Sequence, residues 1–267
     1  MMPTKRFAIA VALLLIAQSF RGEEIKDFGR DRLNNSPRHA DWVDIKSGDN
    51  RTIKAFVVYP EAKNKTPVVL VVSEIFGLTD WVRSLCDELA ENGVIAIAPD
   101  LHGGQKFEDL DGARKATSAL PNDQVQHDLD ATAEFALAKI PAANGTLAIC
   151  GFCWGGGWAF NYAHMNPKLK AAYSFYGAAV DNADDAKKIA CPVYGFYGEN
   201  DERVDATIPK AEQLMKAAGK TYEPVIYKGA GHGFMRSGEP NNPDKRDGDA
   251  TARDQAWARW KTLLKQL

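Results

Sequence analysis

The sequence predicts an α/β architecture in a single domain: a mostly parallel central sheet, antiparallel where it starts, with helices on both faces. Three observations carry this expectation. Val68-Val69-Leu70-Val71-Val72 is an unbroken, mainly β-branched run, as a strand covered on both faces requires. Further short apolar runs alternate with stretches of helical periodicity as far as the C-terminus. The first two strand-like segments have only a polar turn between them, which suits an antiparallel pair.

Taken in order, Lys5 and Arg6 precede an apolar run from Phe7 to Ala17. That run is shorter than the ~20 residues of a bilayer span. Ala17-Gln18-Ser19 then puts small residues where a signal peptidase reads. Residues 1–19 are therefore expected to be an export signal, giving a periplasmic or secreted protein with no stable membrane insertion after cleavage. Residues 20–40 read as an irregular polar leader, and 41–267 as the folded domain.

Within that domain, Trp42 to Ile45 and Ile53 to Tyr59 read as strands around the turn at Gly48-Asp49-Asn50. Thr79 to Asn92 reads as a helix, with Val82, Leu85, Cys86 and Leu89 on one face and a stop at Gly93. Val94 to Ala98, Thr146 to Cys150, Ala171 to Phe175, Pro192 to Tyr197 and Tyr222 to Tyr227 are the later strands. The helices between and after them are Gln124 to Lys139, Trp154 to His164, Ala206 to Ala218 and Thr251 to Leu267. Residues 100–120 and 238–250 read as loops.

The chain has 267 residues, 45% of them hydrophobic, enough for a large core, and a formal net charge of −2. This balance gives no reason to expect nucleic acid or an anionic membrane as a partner. No metal-ligand cluster or phosphate-cradling loop is visible, so no cofactor is expected; Gly155-Gly156-Gly157 follows a sharp turn of another kind. The oligomeric state is left open.

In parallel sheets, ligands bind beyond the carboxyl ends of the strands. There, Gly151-Phe152-Cys153-Trp154-Gly155 joins a strand to a helix and has the form of a nucleophile elbow, with Cys in place of Ser. The turn is sharp enough to require the flanking glycines, and the helix N-terminus favours a thiolate there. The Trp154 N–H is one candidate oxyanion donor. A redox reading of Cys150 and Cys153 competes, but Cys150 ends an apolar strand, the wrong order for an attacking cysteine that starts a helix. Cys86, Cys150 and Cys191 read as core thiols.

A nucleophilic cysteine needs a base. His39 falls in the leader, and His127 and His164 fall on helices. His232, in Gly229-Ala230-Gly231-His232-Gly233-Phe234, follows the last strand, where the chain order nucleophile–acid–base places it. His102 is the fallback. The acid lies in Gly198-Glu199-Asn200-Asp201-Glu202-Arg203-Val204-Asp205, with Asp201 preferred because the chain leaves its strand there.

These motifs, together with Ser73-Glu74-Ile75-Phe76-Gly77-Leu78 and Ala98-Pro99-Asp100-Leu101, resemble the dienelactone hydrolase family from about residue 42 to the C-terminus. The resemblance implies an α/β-hydrolase fold and hydrolysis of small esters or lactones through Cys153, His232 and Asp201, by way of a thioester. It also implies that Glu74 and Arg236 help activate the cysteine and that the Ile75 N–H is the second oxyanion donor. Phe76, Tyr176 and Phe234 are expected to line the substrate pocket. Two positions depart from the pattern. His102-Gly103-Gly104-Gln105 lacks the second Arg that clamps a substrate carboxylate, and Gly233 stands where such enzymes carry Ser. The expected substrate is therefore an ester or lactone of unassigned identity. A non-catalytic binding protein on the same fold and a thiol oxidoreductase are the rival expectations.

Overall fold

Each β-branched or alternating run noted above forms a strand in the computed structural model, which describes residues 29–267. The expected export signal and the first part of the leader lie outside the described residues. The strands are β1 (Ala40–Lys46), β2 (Thr52–Val58), β3 (Thr66–Val72), β4 (Ile95–Pro99), β5 (Ala143–Phe152), β6 (Ala172–Phe175), β7 (Val193–Gly198) and β8 (Tyr222–Tyr227). They make one sheet in the order β1-β2-β4-β3-β5-β6-β7-β8. β2 runs antiparallel to both its neighbours, whereas β4-β3-β5-β6-β7-β8 pair in parallel.

The helices are α1 (Arg30–Asn35), α2 (Asp80–Glu91), α3 (Leu110–Ser118), α4 (Asn122–Lys139), α5 (Trp154–Met165), α6 (Ala183–Lys188), α7 (Glu202–Asp205), α8 (Ile208–Ala217), α9 (Phe234–Ser237) and α10 (Asp247–Leu264). Side chains of β3 alternate between two apolar layers. Val68, Leu70 and Val72 pack with α4, α5, α6 and α8, while Val69 and Val71 pack with α2, α9 and α10. All five are fully buried, each adding about 1.5–3 kcal/mol on transfer from water. This two-sided burial explains the unbroken apolar run.

The differences from expectation concern short helices. The leader contains α1, which buries none of its own residues but is tied to α2 by ion pairs: Arg30 to Asp80 at 3.0 Å and Arg32 to Asp87 at 2.7 Å. The loop expected over 100–120 contains α3, started by Asp109, whose carboxylate accepts from Gly112 N at 2.7 Å. The helix expected over 206–218 is α8, preceded by the short α7 that was not expected, and α10 begins four residues earlier than expected. Among the described residues no helix is long and apolar enough to cross a membrane.

Candidate active site

Five loops at the carboxyl edge of the sheet converge on one open groove of about 1660 Å³. Glu74 and Ile75 follow β3, Cys153 follows β5, Tyr176 follows β6, Asp201 follows β7, and His232 and Arg236 follow β8. The crossing of the parallel strands therefore brings together residues spread over more than half the chain.

Cys153 sits at the elbow with φ 56° and ψ −117°, a conformation that L-residues rarely adopt. It is held from both sides: its N–H donates to the Phe175 carbonyl at 3.0 Å, and its own carbonyl accepts from Gly157 N at 3.2 Å. The neighbouring glycines are a steric requirement. A Cβ on Gly151 would run into the Gly155 carbonyl, and one on Gly155 into the carbonyls of Val72 and Ser73. The thiol is half-buried, packs beside the core and opens into the groove.

His232 lies between the other two partners. Its Nδ1 is hydrogen-bonded to Asp201 Oδ2, and its ring meets Tyr176 edge-on at 5.2 Å between centroids. Burial by itself lowers the imidazole pKa. The hydrogen bonds to Asp201 and Cys153, and the charges of those two groups, outweigh it and raise the pKa to about 10. The Asp201 carboxylate is only 6% exposed, so it is well placed to hold one ring orientation.

Glu74, 3% exposed, accepts from Arg236 Nε at 2.9 Å, and the Arg236 guanidinium lies over the Phe76 ring at 5.4 Å. This carboxylate is thus engaged by a cation at the groove wall. The Tyr176 hydroxyl lies beside Glu74 without an aligned hydrogen bond, and burial, then the Glu74 charge, pushes its pKa well up. The backbone there has φ 39°, a second strained position facing the same site. Trp154, as the first residue of α5, has an N–H with no intrahelical acceptor, and Ile75 lies in the turn after β3; both line the groove.

Against the expected set, Phe76 and Tyr176 line the groove but Phe234 does not. Phe234 is fully buried behind Tyr176, at 5.3 Å between ring centroids, and packs on Tyr227 at 5.5 Å. It starts α9 and points into the core rather than toward a ligand. His102 is not in the groove either: it is 8% exposed and bonded to Thr117, and burial lowers its pKa to about 4. Cys150 faces the fully buried layer that also holds Cys86, and all four cysteines are free. Of the other acids in the 199–205 loop, Glu199 accepts from Gly229 N at 2.8 Å and is spent on the loop.

The groove also has walls that the motifs did not reveal. Trp154, Trp158, Asn161 and Met165 form one stripe along α5, a spacing that was legible as a helix face. Leu110 and Arg114 come from α3, and Arg203 from α7; these short helices carried no strong periodic signal.

A profile of the dienelactone hydrolase family matches residues 53–267. The chain belongs to the dienelactone hydrolase family. It is thus a hydrolase, on the α/β-hydrolase fold. A protein of Methylorubrum extorquens with the provisional name carboxymethylenebutenolidase is 35% identical over 222 residues, 78% of this chain and 76% of the relative. A Yersinia pestis protein with the same provisional name is 36% identical over 205 residues, 71% of this chain and 76% of the relative. The crystal structure of a dienelactone hydrolase candidate from Klebsiella pneumoniae superposes with a TM-score of 0.75 at 32% identity, covering 86% of this chain and 99% of that one.

Proposed function

We propose that the protein hydrolyses carboxylic esters or lactones by covalent catalysis at Cys153. The observation that carries this reading is the His232 imidazole placed between the Asp201 carboxylate and the Cys153 thiol, in a groove at the carboxyl edge of the sheet. The Cys153 thiolate attacks the carbonyl carbon, and the amides of Trp154 and Ile75 receive the oxyanion. The tetrahedral intermediate collapses to a thioester, and the His232 imidazolium gives its proton to the departing alkoxide. His232, now neutral, takes a proton from water, whose oxygen attacks the thioester. The thiol leaves as thiolate and the acid is released, so His232 ends protonated as it began. Asp201 holds the ring orientation throughout and stabilises the positive charge whenever the ring is protonated.

Glu74 and Arg236 hold each other at the groove wall, and we read this pair as helping to activate Cys153, as the family resemblance implies. The relatives' name refers to a lactone that carries a carboxylate. The Arg that would clamp such a group is absent from residues 102–105, where the loop is folded away from the groove around His102. A groove of about 1660 Å³ exceeds the ~300–1,000 Å³ of ordinary small-ligand pockets, which favours esters larger than a bare lactone ring.

The test is turnover of p-nitrophenyl acetate by the wild type, by the iodoacetamide-treated protein and by Cys153→Ala. Loss of turnover in the last two, with a thioester adduct trapped by mass spectrometry at low pH, is the expected result. Turnover that survives Cys153→Ala overturns the mechanism.

A further inference from the structure

One buried imidazole is linked to both residues whose amides are the proposed oxyanion donors, to Ile75 through Thr117 and to Trp154 directly. His102 Nε2 lies 3.0 Å from Thr117 Oγ1, and the same hydroxyl lies 3.3 Å from the Ile75 carbonyl oxygen. On its other side, the His102 ring meets the Trp154 indole at 5.7 Å between centroids, inclined at 63°. We propose that His102 is a positioning residue for the oxyanion site, holding residue 75 through Thr117 and residue 154 by direct contact. This inference rests on the hydrolase reading above.

The direction of the bonds follows from what each atom can do. The Ile75 carbonyl only accepts, so the Thr117 hydroxyl proton goes to it. The Thr117 oxygen then has only lone pairs left for His102, which must donate from Nε2–H. That assigns the tautomer: the proton is on Nε2, and Nδ1 is a bare acceptor. Nδ1 is buried and has no hydrogen-bond partner. An apolar side chain would fill the same space without leaving an acceptor unsatisfied. The imidazole therefore carries a cost that its donor to Thr117 explains. Burial keeps His102 neutral near pH 7, as this tautomer requires.

The same segment holds the next residue as well. Phe107 N donates to the Phe76 carbonyl at 3.2 Å, and the Phe107 ring packs on His102 at 5.6 Å. Two successive carbonyls, 75 and 76, are thus tied to residues 102–117. Fixing them fixes the turn that aims the Ile75 N–H. The clamp Arg is missing from residues 102–105; the longer segment 102–117 braces the turn, while its Leu110 and Arg114 line the groove.

The experiment compares two reactions of the same thiol. Iodoacetamide alkylation displaces iodide and forms no oxyanion, whereas acylation by p-nitrophenyl acetate does. Thr117→Val keeps the shape and removes the hydroxyl; Thr117→Ser keeps the hydroxyl. The expected result for Thr117→Val is a fall in kcat of about tenfold or more, at a KM within about twofold and an alkylation rate close to that of the wild type, because loss of a whole oxyanion donor costs about 10²–10³. Thr117→Ser recovers most of the lost turnover. His102→Gln, which can donate from nearly the same place, and His102→Leu repeat the comparison on the other partner, Gln retaining more turnover than Leu. Equal turnover of Thr117→Val and Thr117→Ser overturns the proposal, and so does a parallel fall in acylation and alkylation. If the wild type shows no Cys153-dependent turnover, the hydrolase reading fails and takes this one with it; normal wild-type turnover beside an indifferent Thr117→Val sinks the brace alone.

Discussion

At the scale of single residues, the proposed chemistry depends on a charge that the site keeps on His232. An ordinary histidine is neutral well below pH 10, but Asp201 on one side and Cys153 on the other hold this one as imidazolium. The sign is that of a cation stabilised by acidic neighbours: the proton is present at low pH and is lost as pH rises through about 10. On the proposed mechanism, the alkaline limb of kcat reports loss of the proton donor for the leaving alkoxide. Replacing Asp201 with Asn keeps a side chain of the same size and removes one of the two charges. The alkaline limb of Asp201→Asn is expected to move down toward the ordinary histidine range, with kcat at its optimum reduced by about 10²–10⁴ because the ring is no longer held in one tautomer. A pH–rate profile of the two proteins on an aryl ester checks this. An unchanged alkaline limb would mean that Asp201 does not hold the charge.

At the scale of elements, the least conspicuous helix has the most specific attachment. α1 has no fully buried residue, and its half-buried Leu33 is its apolar contact with the core, so polar bonds carry much of its attachment. Its place is set by Asp87 on α2, 2% exposed, which accepts from Arg32 at 2.7 Å, from Arg38 Nε and NH2 at 2.7 Å, and from Ser36. Burial alone would raise the Asp87 pKa; the bonds from Arg38 and Ser36, with the charges of Arg32 and Arg38, lower it. Asp87→Ala leaves these donors without a common acceptor. It should cost about 2 kcal/mol, below the 3–5 kcal/mol of a fully buried pair because Arg32 stays 32% exposed. Glu91→Ala, whose carboxylate is 56% exposed, should stay within about 0.5 kcal/mol. Urea midpoints of the two variants decide it; equal midpoints would refute the anchoring. This contrast also explains what could be read from the sequence. The parallel strands were legible because two-sided burial leaves a continuous apolar run, and Cys153, Asp201 and His232 were placed by the strand ends. α1, α3, α6 and α9 were not legible. They are at most nine residues long and bury few side chains, and polar caps or ion pairs that reach elsewhere in the chain position them. Phe234 was misplaced for a related reason: its position beside His232 is evident from the sequence, but the direction of its side chain depends on α9.

At the scale of the whole molecule, two groups near the site, the buried His102 and the half-buried Asp205, respond to acid with opposite signs. His102 has its pKa lowered to about 4 by burial, so the unfolded chain binds that proton first. Its contribution is complete above about pH 6.5 and is lost as pH falls toward 4, by about 3 kcal/mol in all. Asp205, four residues after Asp201, has its pKa raised to about 6, by burial and then by the Asp201 charge, and its buried Oδ1 has no partner. A raised carboxyl pKa means the native state takes the proton first, so stability is gained as pH falls from about 6 toward the ordinary carboxylate range. Between pH 6 and 4 these two terms oppose each other. Below that window Asp80 and Asp87, both held lower than usual despite burial by the cations around them, lose their bonds and stability falls steeply. Single variants separate the terms. His102→Gln removes the falling term, so its urea midpoint should rise between pH 6 and 4.5. Asp205→Asn removes the rising term, so its midpoint should fall over the same interval. Parallel profiles for both variants and the wild type would show that neither group has a shifted pKa in the folded state, and would remove the argument from burial that assigns His102 its neutral, donating form.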